Sequence, residues 1–308
     1  MIRRIFLFVL VNILVVTALS AVLSFFHVQP FLQGYGLDIP SLALFCLVWG
    51  MGGALISLAL SRQMAKWMMN VKVINPQHAS PEGLKLLEIV HRLARQANLA
   101  HMPQVGIFAS DTPNAFATGP SQRRSLVAVS SGLLNRMSQE EIEGVVGHEL
   151  SHIANGDMVT LTLIQGVANA FVMFLARILA YAVSGLGKRN RDRSSVGSYA
   201  MYRICTIAFE LLFMVLASGV ICWFSRKREF RADRGGAMLA GKEQMISALT
   251  ALQRFQEVST KNPLLEDDKK ATAFQSMQIS SQKRGKWLRW FMTHPPLEER
   301  IARLSNSL

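Results

Sequence analysis

Five consecutive residues, His148-Glu149-Leu150-Ser151-His152, have the types and spacing to do chemistry. Histidines four positions apart share one face of a helix, so both imidazoles can bind one zinc ion at about 2.0–2.1 Å. Glu149, one position after the first histidine, can reach a water on that ion and act as general base. In a chain of this composition the pattern arises by chance on the order of once in a hundred sequences. A catalytic zinc needs a third protein ligand and an open position for water. A third histidine six residues after His152 is excluded, because that position is Met158 and the accompanying glycine is replaced by Asn155. The segment Arg226-Lys227-Arg228-Glu229-Phe230-Arg231-Ala232-Asp233 offers two carboxylates, again four apart on one face. One of Glu229 and Asp233 can bind the metal while the other hydrogen-bonds a ligand histidine. The plain alternatives are two half-buried helix histidines and a solvated basic helix face.

These residues must be positioned by helices, and the local signals are present. Ser138-x-x-Glu141 is a capping box that opens the HELSH helix, and Gly156 is placed to close it. Ser80-Pro81 is an N-cap followed by proline at the first helical position. Leu84, Leu87, Val90, Ala94 and Ala97 then recur at helical spacing. Val105–Phe108 and Leu126–Ser130 are short strand-like runs bounded by proline, glycine and serine.

Four apolar segments flank these signals: Ile5–Phe26, Pro40–Leu60, Val159–Ser184 and Ile204–Phe224. Spanning a bilayer takes about 20 residues. Half of the chain is hydrophobic and only 17% is charged, against about a quarter in soluble domains. Arg3 and Arg4 precede the first pair of segments, and Arg62, Lys66 and Lys72 follow it, with no lysine or arginine between His27 and Ile39. The positive-inside rule then places the N-terminus and everything after Leu60 in the cytoplasm. The connector Leu186–Arg203 is also basic, which conflicts with that rule if the third and fourth segments both span. Each of those two carries an ionisable residue, Arg177 and Glu210, at matching distance from the connector. In an antiparallel hairpin the two meet as an ion pair; the alternative is Arg177 reaching toward the basic loop and Glu210 neutral in a substrate groove. The same hairpin brings His152, seven residues before the third segment, level with Glu229, five after the fourth.

The net charge of +13 fits lysine and arginine beside anionic lipid. Nucleic-acid binding would need basic and aromatic residues clustered on one soluble face, and no such cluster is found. The three cysteines, Cys46, Cys205 and Cys222, all lie in apolar runs, so there is neither a disulfide framework nor a CxxC metal site. The layout that follows is two membrane helices with a short outer loop (1–61), a catalytic part (62–158), a hydrophobic hairpin (159–224) and a last water-exposed part (225–308). Within the last, residues 258–286 are polar and aperiodic, as a flexible loop is.

HELSHIANGDM, REFRAD, PNAFATG (Pro113–Gly119) and HPPLEER (His294–Arg300) occur around these four segments. Together they resemble the HtpX family of membrane zinc endopeptidases, relatives of the CAAX prenyl proteases. The resemblance implies a mainly α integral membrane protein, with a thermolysin-like zincin helical core and a small β-sheet facing the cytoplasm. It implies one zinc ion on His148, His152 and Glu229, Glu149 as catalytic base, and Asp233 as the acid behind a ligand histidine. His294 and Arg300 match a histidine-proline and arginine pattern that stabilises the oxyanion. Asn114, Ala115 and Phe116, with the strand Leu126–Ser130, resemble an edge that receives extended substrate. The implied role is stress-linked clearance of damaged or misfolded membrane and soluble proteins at the bacterial inner (plasma) membrane, with membrane lipid as the other partner. Two other readings stand beside it. A prenyl-protein protease needs a chamber enclosed by more than four spans. A membrane scaffold with structural zinc has no use for Glu149.

Overall fold

The computed structural model describes residues 32–33, 36–184, 195–261 and 294–306. The segment Ile5–Phe26, the first half of the basic connector and nearly all of 258–286 lie outside the described residues. The chain runs through a two-stranded hairpin, β1 (Leu32–Gln33) and β2 (Gly36–Leu37), then helix α1 (Ile39–Met68) and strand β3 (Lys72–Val73). Helix α2 (Pro81–Gln96) and strands β4 (Gln104–Phe108), β5 (Ala115–Thr118) and β6 (Leu126–Ser130) follow. The remainder is helical: α3 (Ser131–Arg136), α4 (Gln139–Ala154), α5 (Asp157–Ser184), α6 (Ser195–Ala240), α7 (Lys242–Lys261) and α8 (Leu297–Asn306).

Among the described residues three helices, α1, α5 and α6, are long and apolar enough to cross a membrane. The 46 residues of α6 amount to about 70 Å at 1.5 Å each, far more than the hydrocarbon thickness. The apolar segment Ile204–Phe224 is therefore only the middle of one continuous helix that also carries Glu229 and Asp233.

The chain divides into two compact units, Met1–Ile56 with Thr162–Cys222 and Ser57–Leu161 with Trp223–Leu308. In the first, Leu42, Phe45 and Cys46 of α1 pack with Val172 and Met173 of α5 and Met214 of α6. A Cβ at Gly50 would lie 2.5 Å from the backbone nitrogen of Ala170, so glycine is what lets α1 and α5 touch. Arg177 and Glu210 meet as expected, Nη1 to Oε1 at 2.7 Å, and both are buried. Arg177 also donates to the Met173 carbonyl at 3.0 Å and stands over the Phe45 ring.

In the second unit a four-stranded sheet has the order β3-β4-β6-β5. β6 runs parallel to β4 and antiparallel to β5, and β5 forms an edge. β6 (LVAVS) is buried along its whole length, which is why it reads as an apolar run rather than an alternating one. Helices α2, α4 and α7 build the core around this sheet, with Leu86, Val90, Leu93, Val127, Val146, Leu150 and Ala248 at its centre. The two helix starts are as read from the sequence. Ser80 Oγ accepts from the Gly83 amide at 3.2 Å, and Ser138 with Glu141 forms the reciprocal capping box.

The apolar face of α2 is displaced from the one its spacing suggests. Leu84 is 43% exposed, and the buried face is Gly83, Leu86, Ile89, Val90, Leu93 and Ala94. The helix carries two overlapping apolar stripes, and packing against the sheet selects the one with more bulk.

Because each partner of a buried ion pair strands the other when removed, Arg177→Ala and Glu210→Ala should each cost about 3 kcal/mol. Thermal unfolding in detergent should show the double variant less harmed than the sum, with a coupling of about 1–3 kcal/mol. Strictly additive losses would show that the contact contributes nothing.

Candidate metal centre

Helix α4 is buried over most of its length, including Val145, Val146, His148, Leu150, Ser151, His152 and Ile153. One helical turn separates the two histidines, so their rings lie side by side, with centroids 4.7 Å apart and planes nearly perpendicular. They face the stretch of α6 that carries Glu229 and Asp233, each 1% exposed.

The approach of the helices is set by small residues. Gly144, Gly147 and Ser151 on α4 oppose Gly235, Gly236 and Ala240 on α6 and Gln244 and Ala248 on α7. A Cβ at Gly236 would stand 2.9 Å from the His148 amide nitrogen, and one at Gly144 would stand 2.5 Å from the Gln244 carbonyl oxygen. Side chains at this seam would hold the backbones apart and pull the ligand-bearing residues out of reach.

At this distance the ligand atoms of His148, His152 and Glu229 all lie within 4.8 Å of one another. His148 Nε2 is 3.6 Å from Glu229 Oε2, and His152 Nε2 is 3.4 Å from Glu229 Oε1. Behind this cluster each of the three has a further partner. His148 Nδ1 is 2.9 Å from Asp233 Oδ1, and His152 Nδ1 is 2.7 Å from Asp157 Oδ2. Arg228 Nη2 donates to Glu229 Oε1 at 3.1 Å. With Nδ1 directed at a carboxylate, each histidine turns its Nε2 toward Glu229 on the inner side.

Arg300 is 2% exposed and closes the network from α8. Its Nε and Nη2 form a fork on the two oxygens of Asp233, at 2.8 and 2.5 Å. Burial disfavours its charged form, but the Asp233 carboxylate outweighs that and raises its pKa. For His148, too, burial opposes the charged form. Hydrogen bonds to Asp233 and Glu229 prevail and push its pKa up to about 9. A cation entering the cluster therefore competes with a proton.

Glu229 Oε2 is buried without an aligned hydrogen bond, although His294 Nδ1 is 2.8 Å away. A buried ionised oxygen must face donors or a cation, and a metal ion is a group that two imidazoles and one carboxylate would hold there. Among the described residues this is the one group of its kind.

The structure brings His148, His152, Glu229, Asp233, His294 and Arg300 to one place. Glu149 sits half-buried between the two histidines in sequence, and its charge is felt by Arg300. Arg300 binds Asp233 through Nε and Nη2, while its Nη1 lies 3.8 Å from Glu229 Oε2. Asn114 is held by two contacts to Ser130, through its amide to Oγ at 2.9 Å and its carbonyl to the amide at 2.8 Å. That anchors the start of β5, on which Ala115 and Phe116 lie half-buried. Sequence reasoning missed Asp157, Arg228 and the Gly235-Gly236 pair. The signal for the first was an acid just past an Asn-Gly turn after the motif.

Residues 82–308 match the description of peptidase family M48. The chain belongs to that family. It is 49% identical to the protease HtpX homolog of Bacillus subtilis over 311 residues, 99% of each chain. It is 47% identical to protease HtpX of Thioalkalivibrio sulfidiphilus over 304 residues, 98% of each. The fold is shared with Ste24p of S. mikatae at a TM-score of 0.57 and 15% identity, over 85% of this chain and 58% of that one. This M48 member is accordingly a membrane metalloprotease, mainly helical with a small mixed sheet.

The seam makes a direct prediction. Gly236→Val should weaken metal binding at least tenfold, whereas Gly219→Ala, with open space around it on the same helix, should leave it unchanged. Competition against a chromophoric chelator measures both, and wild-type affinity in Gly236→Val would show that the seam does not set the ligand geometry.

Proposed function

We propose that this chain is a zinc-dependent endopeptidase of the bacterial inner (plasma) membrane that cleaves damaged or misfolded proteins. The observation that carries the reading is the convergence of His148, His152 and Glu229 with one buried carboxylate oxygen lacking a hydrogen bond. Two nitrogens and one oxygen suit zinc, and three protein ligands leave a position open, as catalytic rather than structural sites do.

A zinc ion held there would supply a Lewis acid for the scissile carbonyl and lower the pKa of water toward neutrality. Glu149 takes the proton of the attacking water and passes it to the leaving amine. His294, partly exposed and beside Glu229, donates a hydrogen bond to the oxygen that gains charge during attack. Asp233 holds the imidazole of His148, and Arg300 holds Asp233. Among the described residues β5 is an edge of the sheet, and its outer side, with Ala115 and Phe116 next to the anchored Asn114, is where an extended substrate would pair. Recognition of that kind reads backbone more than side chains, which suits clients defined by being unfolded rather than by sequence.

The charges around the first two apolar segments support placing the site and both termini on the cytoplasmic side. Basic residues after Leu60 and beyond Phe224 fit contact with anionic lipid. The divisions at 61, 158 and 224 remain our reading of where membrane and water-exposed parts meet.

Incubation of purified protein with zinc and casein tests this reading. Glu149→Gln should lose at least about a hundredfold in rate while keeping one equivalent of zinc. Glu229→Ala should lose the metal, and Asp233→Ala should bind it about 10–100-fold more weakly. Proteolysis by Glu149→Gln within tenfold of wild type would overturn the assignment of the base.

A further inference from the structure

We propose that Asp157 is a positioning residue of the metal centre, which holds the His152 imidazole with Nε2 turned toward the ion. The role rests on the zinc site proposed above. Nothing in the HExxH and ExxxD patterns requires such a residue, since the acid that orients His148 comes from α6.

The geometry follows from the turn between two helices. Helix α4 ends at Ala154, and Asn155 closes it in helical conformation with its amide bonded to the Ser151 carbonyl. Gly156 then adopts φ +65°, a left-handed conformation that costs glycine nothing. The helix is broken there, and α5 opens at Asp157. A residue five places after His152 would diverge from it on a continuing helix. Here it folds back beneath the ring. The turn is tied down by Gln122, whose side-chain amide donates to the Ala154 carbonyl at 2.9 Å, and by Thr160, whose amide donates to the Gly156 carbonyl.

The chemistry of the contact is specific. Asp157 Oδ2 lies 2.7 Å from His152 Nδ1, a short distance for a charge-assisted bond, and Asp157 is only 2% exposed. A carboxylate accepts only, so Nδ1 carries the proton and Nε2 is the nitrogen left for an ion. Nε2 faces the side where Glu229 Oε1 lies 3.4 Å away. Asp157 stands in the first turn of α5, the end of a helix that suits an acidic side chain. The two ligand histidines are thus oriented by separate acids on separate helices.

Full-length Asp157→Ser and Asp157→Asn, purified in detergent, test the role by zinc affinity and by melting of the metal-free protein. Serine keeps the helix start but is too short to reach His152. Asparagine can still accept from Nδ1–H through its amide oxygen. Asp157→Ser should bind zinc about 10–100-fold more weakly, with the metal-free melting temperature little changed. Asp157→Asn should stay within about threefold of wild type. Wild-type affinity in the serine variant would overturn the role, as would equal losses in both variants. A metal-free melting temperature that falls in step with affinity would make Asp157 merely structural and overturn it too. A wild-type protein that takes up no zinc in the same titration contradicts the zinc site itself.

Discussion

Three carboxylates, those of Glu229, Asp233 and Asp157, are buried within a few residues of one another in space, each at most 2% exposed. Buried charge is tolerated only when paired or bound to metal. Arg300 is the fully buried cation that answers them, and Arg228 adds a second, half-buried one. With both histidines neutral the cluster keeps a negative excess. Two states relieve it: protonated histidines, as the raised pKa of His148 indicates, or a divalent ion at the inner oxygens and nitrogens. The rest of the second unit is arranged so that this choice exists.

That requirement reaches far along the chain. Arg300 comes from α8, which follows the polar stretch and would be remote from His148 without its own packing. Leu297 and Leu304 bury against Met245 and Leu249 of α7, and Lys242 donates to the Ser305 carbonyl at 3.1 Å. Arg303 lies over the Phe230 ring, one residue beyond Glu229. The last helix is therefore part of the site, since it carries the countercharge of Asp233. A similar rule operates in the first unit, where Arg177 and Glu210 compensate each other between apolar helices.

Much of the site was legible because local spacing encodes it. HELSH and REFRAD each place two polar groups on one helical face, and the capping box at Ser138 fixes where the first helix begins. The strand Leu126–Ser130 was legible as a buried apolar run, and the Arg177–Glu210 pair from matched depth in two segments. What was not legible depends on contacts between distant residues. Leu84 reads as core from periodicity, yet the sheet selects Leu86 and Leu93. Gly235 and Gly236 carry no local signal of their own and form a packing seam against Gly147, His148 and Ser151. The fork of Arg300 on Asp233 joins residues 67 positions apart, which no local spacing encodes. Asp157 needed the helix break at Gly156, which spacing rules for a single helix do not anticipate.

The central claim is a three-ligand zinc site with one position left for water. X-ray absorption at the zinc edge of the purified protein measures this directly. The expected result is two imidazole nitrogens and oxygen donors at about 2.0–2.2 Å, with no sulfur. One oxygen should be exchangeable for an added inhibitor anion. Four non-exchanging protein ligands, or a sulfur at about 2.3 Å from any of the three cysteines, would contradict it.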